Sequence, residues 1–292
     1  MRSWGCEVHL SRPPRYPETV PLAPLAAPAY HGQQPERTRM RFRGKDYTGK
    51  GVTVAIIDTG IDVNDPRMEG AEIEGWSIAL GATGHALLSS DYKDEHGHGT
   101  EIAAAIRYYA PDAKLVAIKI MGKSLRTSAE LMAAGIETAS RNGAHVVNVS
   151  FGTPNQGKAL MLNDCCANAV GAGSLVLAAA HPAGKRVYPA ELPESVAVGA
   201  DKRVSIDKFF YHDPKHYPRK QWGIVSGRIV AHGMTQPSEN MASVYQSTSI
   251  ATAYMSGVAA CLAEALAVKD PARLTKLLHR QAIIPNPEIG YS

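Results

Sequence analysis

Gly51-Val52-Thr53-Val54-Ala55-Ile56-Ile57-Asp58-Thr59-Gly60 is the stretch whose reading decides the fold. The run from Val52 to Ile57 is apolar and rich in β-branched residues. A strand covered by helices on both sides reads this way, because neither face needs polar side chains. Asp58 sits where that strand ends, and Gly60 breaks it. Open α/β sheets place ligands and chemistry at the carboxyl ends of their parallel strands. The position therefore suits a functional carboxylate, although an acidic residue that only starts a turn fits as well.

Two further segments give the acid its partners. Asp94-Glu95-His96-Gly97-His98-Gly99-Thr100 leads into Glu101-Ile102-Ala103-Ala104-Ala105-Ile106, a run of small and apolar residues suited to a buried helix with His98 near its amino end. His96 and His98 also form a two-apart pair, but no further ligands stand at metal-binding spacing. Gln246-Ser247-Thr248-Ser249-Ile250-Ala251 opens a second helix, whose small residues at 251, 253, 256, 257, 259 and 260 permit close packing. Ser249 is in a place where serine is most often an N-cap. It is also a place where helix N–H groups point at developing negative charge. A hydroxyl is a poor nucleophile at neutral pH. It becomes a good one when an imidazole takes its proton and a carboxylate orients that imidazole.

Asp58, His98 and Ser249 follow in that chain order, and their surroundings resemble the subtilisin-like serine proteases, the subtilases. Ile57-Asp58-Thr59-Gly60-Ile61-Asp62 is similar to the family's Asp block. Gly97-His98-Gly99-Thr100 with Ala103 is similar to its His block, and Ser247-Thr248-Ser249-Ile250-Ala251-Thr252 to its Ser block. Asp, His, Ser is the order found in subtilisin. Val146-Val147-Asn148-Val149-Ser150-Phe151-Gly152 resembles the strand that pairs with the substrate backbone. The resemblance runs from about Tyr47 to about Ala267. It implies a three-layer α/β fold with a mostly parallel sheet flanked by helices. It also implies a serine endopeptidase acting through Asp58, His98 and Ser249, with peptide or protein as substrate. Substrate would lie along Ser150, Phe151, Gly152, Ala179 and Ala180.

The chain departs from the family pattern at the oxyanion site. The family carries an asparagine after a strand here represented by Leu175-Val176-Leu177-Ala178-Ala179-Ala180-His181-Pro182. Alignment puts Pro182 at the asparagine and His181 at the preceding glycine. Proline offers neither a side-chain donor nor an N–H. Loss of that donor costs about 10²–10³ in rate, a magnitude that comes from subtilisin itself. The backbone N–H of Ser249 is the donor expected to remain. Three readings follow: His181 substitutes, the enzyme is slow, or the chain is a silent pseudoprotease that binds peptides or serves as a scaffold. Ala253-Tyr254 replaces the family's Pro-His, which makes the chain a divergent member. The loop that binds calcium in many secreted subtilases looks deleted between Tyr109 and Lys114, so no metal is expected there, and no cofactor.

The rest of the composition excludes little and adds little. The chain has 292 residues, a formal net charge of +4 and 45% hydrophobic content. That suits a sizeable core and gives no case for nucleic acid or membrane partners. Arg37, Arg39, Arg41, Arg43 and Lys45 alternate ahead of the first family strand and read as a solvated arm. Phe209 to Trp222 is aromatic and basic, and reads as a surface hairpin or as a wall beside the cleft. The four cysteines form no disulfide framework, and the amino end lacks the continuous apolar core of a signal peptide. Both favour an intracellular setting. The expected organisation is an extended Pro-rich arm over 1–45, a catalytic domain over 46–270 and a packed tail over 271–292. Strands are predicted at 52–57, 114–120, 145–150, 174–180 and 195–199, with helices at 100–109, 128–142, 158–171 and 249–267.

Overall fold

The computed structural model describes residues 40–42, 45–81, 85–201, 204, 208–212, 228–231, 247–267 and 270–282. Its strands are β1 (Met40–Phe42), β2 (Lys45–Tyr47), β3 (Thr53–Asp58), β4 (Ile73–Leu80), β5 (Ala86–Ser89), β6 (Lys114–Lys119), β7 (Val146–Val149), β8 (Leu175–Ala179), β9 (Val196–Ala200), β10 (Phe209–His212) and β11 (Arg228–Ala231). Its α-helices are α1 (His98–Tyr109), α2 (Ala129–Arg141), α3 (Ala159–Gly171), α4 (Thr248–Leu266) and α5 (Pro271–Gln281). The main sheet runs in the order β10-β11-β9-β8-β7-β3-β6-β4-β5. Its centre is parallel from β11 to β4, and the antiparallel pairs β10–β11 and β4–β5 close its edges.

The two-residue period of a strand sorts the central side chains onto opposite faces. Val54 and Ile56 of β3, with Leu115, Val146 and Leu177, meet residues of α1, α4 and α5. Ala55 and Ile57, with Val116, Val147 and Val176, meet α2 and α3. Both faces are thereby covered, which is why these strands carry so little polar sequence. Each fully buried aliphatic side chain of this kind contributes about 1.5–3 kcal/mol.

α4 is the central helix of one layer. By length and apolarity it is the helix among the described residues that meets the requirements for crossing a bilayer. Here its residues from Ile250 to Ala263 are buried in the protein core. α4 and α1 run side by side in the same direction: a Cβ on Gly257 would meet the Ile106 carbonyl oxygen at 2.6 Å, and Cys261 Sγ lies 3.2 Å from the Tyr109 carbonyl oxygen. Leu274 and Leu278 of α5 are buried against the same layer.

Several elements lie outside the predicted set. β4 has the burial order of a partly exposed strand, and β5 is exposed along its whole length, so neither shows a long apolar run. Met40–Phe42 pairs with Lys45–Tyr47, so strand pairing begins within the stretch read as an arm; residues 1–39 lie outside the described residues. The first four residues of the aromatic segment form β10, and β11 pairs with it. Residues 213–227 also lie outside the described residues. α1 reaches β6 through Ala110 to Ala113 alone.

Candidate active site

Asp58 is the last residue of β3 and is fully buried. Its Oδ1 accepts from the Thr59 N–H at 2.8 Å and lies 2.7 Å from His98 Nδ1. His98 is the first residue of α1. What brings a strand end and a helix start this close is missing side-chain bulk. A Cβ on Gly99 would stand 2.1 Å from the Gly60 carbonyl oxygen. The Gly99 N–H also donates to Thr59 Oγ1 at 2.8 Å. The helix start is further held by Asp94, whose carboxylate accepts from the N–H groups of His96, Gly97 and Thr100 and from the Thr100 hydroxyl. Thr100 Oγ1 in turn accepts from the Asp62 N–H at 3.0 Å.

Electrostatics favour a protonated imidazole. Burial is the largest single influence and pushes His98 down, but the Asp58, Asp94 and Glu101 carboxylates together outweigh it, so its pKa stands above the ordinary value. Burial pushes Asp94 up, and its four hydrogen bonds more than reverse this, leaving it low. A cavity of about 340 Å³ opens beside the ring, bordered by Asp62, Asp94, Glu95 and Glu101, with Arg67 paired to Glu101. His96 and His98 are edge-on at 6.5 Å between centroids. Among the described residues no three His, Cys, Asp or Glu side chains gather as a metal-binding group.

The parallel packing of α1 and α4 fixes where Ser249 lies. Gly257 abuts Ile106, and eight residues earlier in each helix stand Ser249 and His98 (257 − 8 and 106 − 8). Equal rise per residue puts them at one level, at neighbouring amino ends. Ser249 is not the cap of its helix. Ser247 is the N-cap, and its hydroxyl accepts from the Ser249 N–H at 3.1 Å. The Ser249 hydroxyl donates to the Ser150 carbonyl at 2.7 Å. The serine–imidazole hydrogen bond that the sequence leads one to expect is therefore not formed in this arrangement. Both Ser249 donors, the O–H and the N–H, are engaged by neighbouring protein oxygens.

A Subtilase family profile matches residues 49–291. The chain belongs to the subtilase family. It is 34% identical over 228 residues to M-protease of Shouchella clausii (strain KSM-K16), a match that covers 73% of this chain and 54% of that protein. The same length of match, at 34% identity, relates it to Subtilisin Savinase of Lederbergia lenta, covering 73% and 76%. The chain thus spans about half the length of M-protease and three quarters of Savinase. The solved structure of Sphericase superposes with a TM-score of 0.66 at 22% identity, covering 84% of this chain and 91% of that one. A cold adapted subtilisin-like serine proteinase superposes with a TM-score of 0.61 at 22% identity, covering 80% of this chain and 83% of that one, so the three-layer fold is subtilisin-like.

The remaining candidate residues of this subtilase gather at the carboxyl ends of the central strands. Ile57 pairs with Val149 and Val149 with Ala178, so Asp58 and Ala179, the last residues of β3 and β8, lie level with Ser150, which follows β7. Ala179 and Ala180 are buried, and the Ala180 N–H donates to the Val198 carbonyl at 2.8 Å. Phe151 is half-buried and Gly152 exposed. Pro182 is exposed, and His181 before it is half-buried. His181 Nδ1 accepts the Ala183 N–H at 3.0 Å, and its carbonyl accepts the Gly184 N–H at 2.9 Å. A neutral ring whose Nδ1 accepts carries its proton on Nε2, so His181 presents a donor. Sequence reasoning did not pick out Ser247 as the cap. The signal was present in Ser247-Thr248-Ser249, where the first hydroxyl stands two residues before the N–H it binds.

Proposed function

We propose that this subtilase is a serine endopeptidase. The observation that carries the reading is the 2.7 Å contact between His98 Nδ1 and the buried Asp58 carboxylate, at the same level as Ser249. With Nδ1–H held by Asp58, the neutral imidazole has its lone pair on Nε2, the nitrogen that acts as general base. Rotation about the Ser249 Cα–Cβ bond moves the hydroxyl from the Ser150 carbonyl to that nitrogen. His98 then takes the proton as Ser249 attacks the peptide carbonyl, and returns it to the leaving amine. The acyl-enzyme that remains is cleared by water, or by a second amine if one occupies the site. The peptide lies along Ser150 to Gly152 and Ala179 to Ala180. His181 supplies the second oxyanion donor that Pro182 cannot, through its Nε2–H. The account needs no metal and no organic cofactor.

The engaged Ser249 N–H and the proline at 182 favour a second reading, a peptide-binding pseudoprotease. Incubation of unstructured polypeptides with wild type and Ser249→Ala, followed by mass spectrometry of the products, separates the two. Cleavage that depends on Ser249 is the expected result. Equal peptide affinity in both proteins with no products supports the second reading. Within the first, His181→Ala is expected to lower kcat by about 10²-fold with KM little changed. Unchanged turnover removes His181 from the oxyanion site.

A further inference from the structure

Asn148 is out of place in its strand. The rest of β7 is valine, and the amide sits fully buried at the centre of a parallel sheet. A buried amide is costly unless its hydrogen-bonding groups are used. Here they are used, and all toward the nucleophile helix. Asn148 Nδ2 donates to Ser150 Oγ at 2.7 Å. Asn148 Oδ1 accepts from the buried Ser256 hydroxyl of α4 at 3.0 Å, a hydroxyl that also faces the Thr252 carbonyl at 2.9 Å. Ser150 then meets Ser249 twice: its carbonyl accepts the Ser249 hydroxyl, and its own hydroxyl reaches the Ser249 carbonyl at 3.4 Å.

The spacing makes this a two-point tie. Ser249 and Ser256 are seven residues apart, so they share one face of α4 about 10 Å apart along its axis. Asn148 and Ser150 are two apart, so they share one face of the sheet. It is the face that carries α1 and α4, because Val146 packs there. One tie would leave the helix free to turn about it. Two ties at different heights fix both its rotation and its advance along β7. α1 holds His98 by a separate set of contacts. The relative placement of Ser249 and His98 therefore depends on how α4 is seated against β7.

We propose that Asn148 is a positioning residue for Ser249, acting through Ser150 at one end and Ser256 at the other. The inference rests on the proteolytic reading above. Three variants test it on the full chain: Ser256→Ala removes the far tie, Ser150→Ala keeps the carbonyl but removes the near hydroxyl, and Asn148→Ala removes both. Thermal unfolding establishes that each is folded. With a peptide that wild type cleaves, Ser256→Ala and Ser150→Ala are each expected to lower kcat about 10-fold with KM unchanged, because small displacements of reacting groups cost rate. Adding Ser256→Ala to Asn148→Ala is expected to lower kcat no further, since the tie is already gone. Wild-type kcat in the two folded serine variants, or penalties that multiply in the double variant, overturns the inference. If Asn148→Ala does not fold, the two serine variants decide the matter alone. A wild-type protein that cuts nothing and takes no fluorophosphonate removes the proteolytic reading first and this inference with it. Active wild type with insensitive variants removes this inference only.

Discussion

Gly99 stands against Gly60 so closely that a Cβ on Gly99 would come within 2.1 Å of the Gly60 carbonyl oxygen. That approach sets the start of α1 on the end of β3, and so sets the His98 imidazole on the Asp58 carboxylate. No side chain fits between them, and the atom in the way is backbone, which cannot swing aside.

Gly99→Ala is therefore expected to be costly twice. Overpacking of this kind costs about 1–3 kcal/mol, and any relief comes by parting His98 from Asp58. Urea denaturation measures the first effect and peptide turnover the second. A variant with wild-type stability and wild-type kcat would mean that the two glycines do not set the Asp58–His98 distance.

The pH dependence has a definite sign. Burial lowers the His98 pKa, but Asp58, with Asp94 and Glu101, raises it by more, so the net position is above 6.5. A pKa raised by folding means that the protonated ring is stabilised in the native state. That stability is fully present below the unfolded value near 6.5 and is lost as pH rises through the folded value. Activity moves the other way, because the general base must be neutral. The acid limb of kcat/KM is expected to have its midpoint above pH 6.5. Asp58→Asn is expected to shift that midpoint down and to lower kcat by about 10⁴. Titration of the His98 ring protons by NMR checks the shift directly. A midpoint unmoved by Asp58→Asn contradicts the assignment.

The sheet centre and the acid–base pair were legible in sequence because burial on both faces imposes a continuous apolar run. The strands predicted at 52–57, 145–150 and 174–180 correspond to β3, β7 and β8 within two residues at either end. Gly60 reads in sequence only as the residue that breaks a strand, so its close approach to Gly99 was not legible. β5 is an exposed edge strand with no pattern to read. The turn of the Ser249 hydroxyl toward Ser150 was not legible either. A serine torsion answers to whichever acceptor lies nearest in space, and that acceptor is 99 positions away in the chain. Asn148 did leave a trace, as a single amide in a run of valines.

Glu264 holds the segment that leads into β3. One carboxylate oxygen, Oε2, accepts the N–H groups of Thr48, Gly49 and Lys50 at 2.8, 2.7 and 3.1 Å. Glu264→Ala leaves three donors without that partner, and water replaces it only in part because two of the bonds are half-buried. A loss of about 1–3 kcal/mol is expected in chemical denaturation, with a smaller loss for Glu264→Gln. Equal stability in all three proteins would mean that solvent satisfies these groups fully.

The cysteines are expected to take no part in the chemistry. Burial first, then nearby carboxylates or thiols, pushes the Cys166 and Cys261 thiols up to about 12. At pH 8 neither forms appreciable thiolate. Alkylation with iodoacetamide under native conditions is expected to spare Cys166 and Cys261 and to leave peptide cleavage unchanged. Loss of cleavage on modification of either residue contradicts this.

The most direct measurement is the site of a fluorophosphonate adduct, mapped by peptide mass spectrometry on the native full chain. The expected result is one adduct on Ser249, formed slowly in His98→Ala and absent in Ser249→Ala. An adduct on another residue, or none on a folded wild-type protein, contradicts the reading of Ser249 as a nucleophile served by His98 and Asp58.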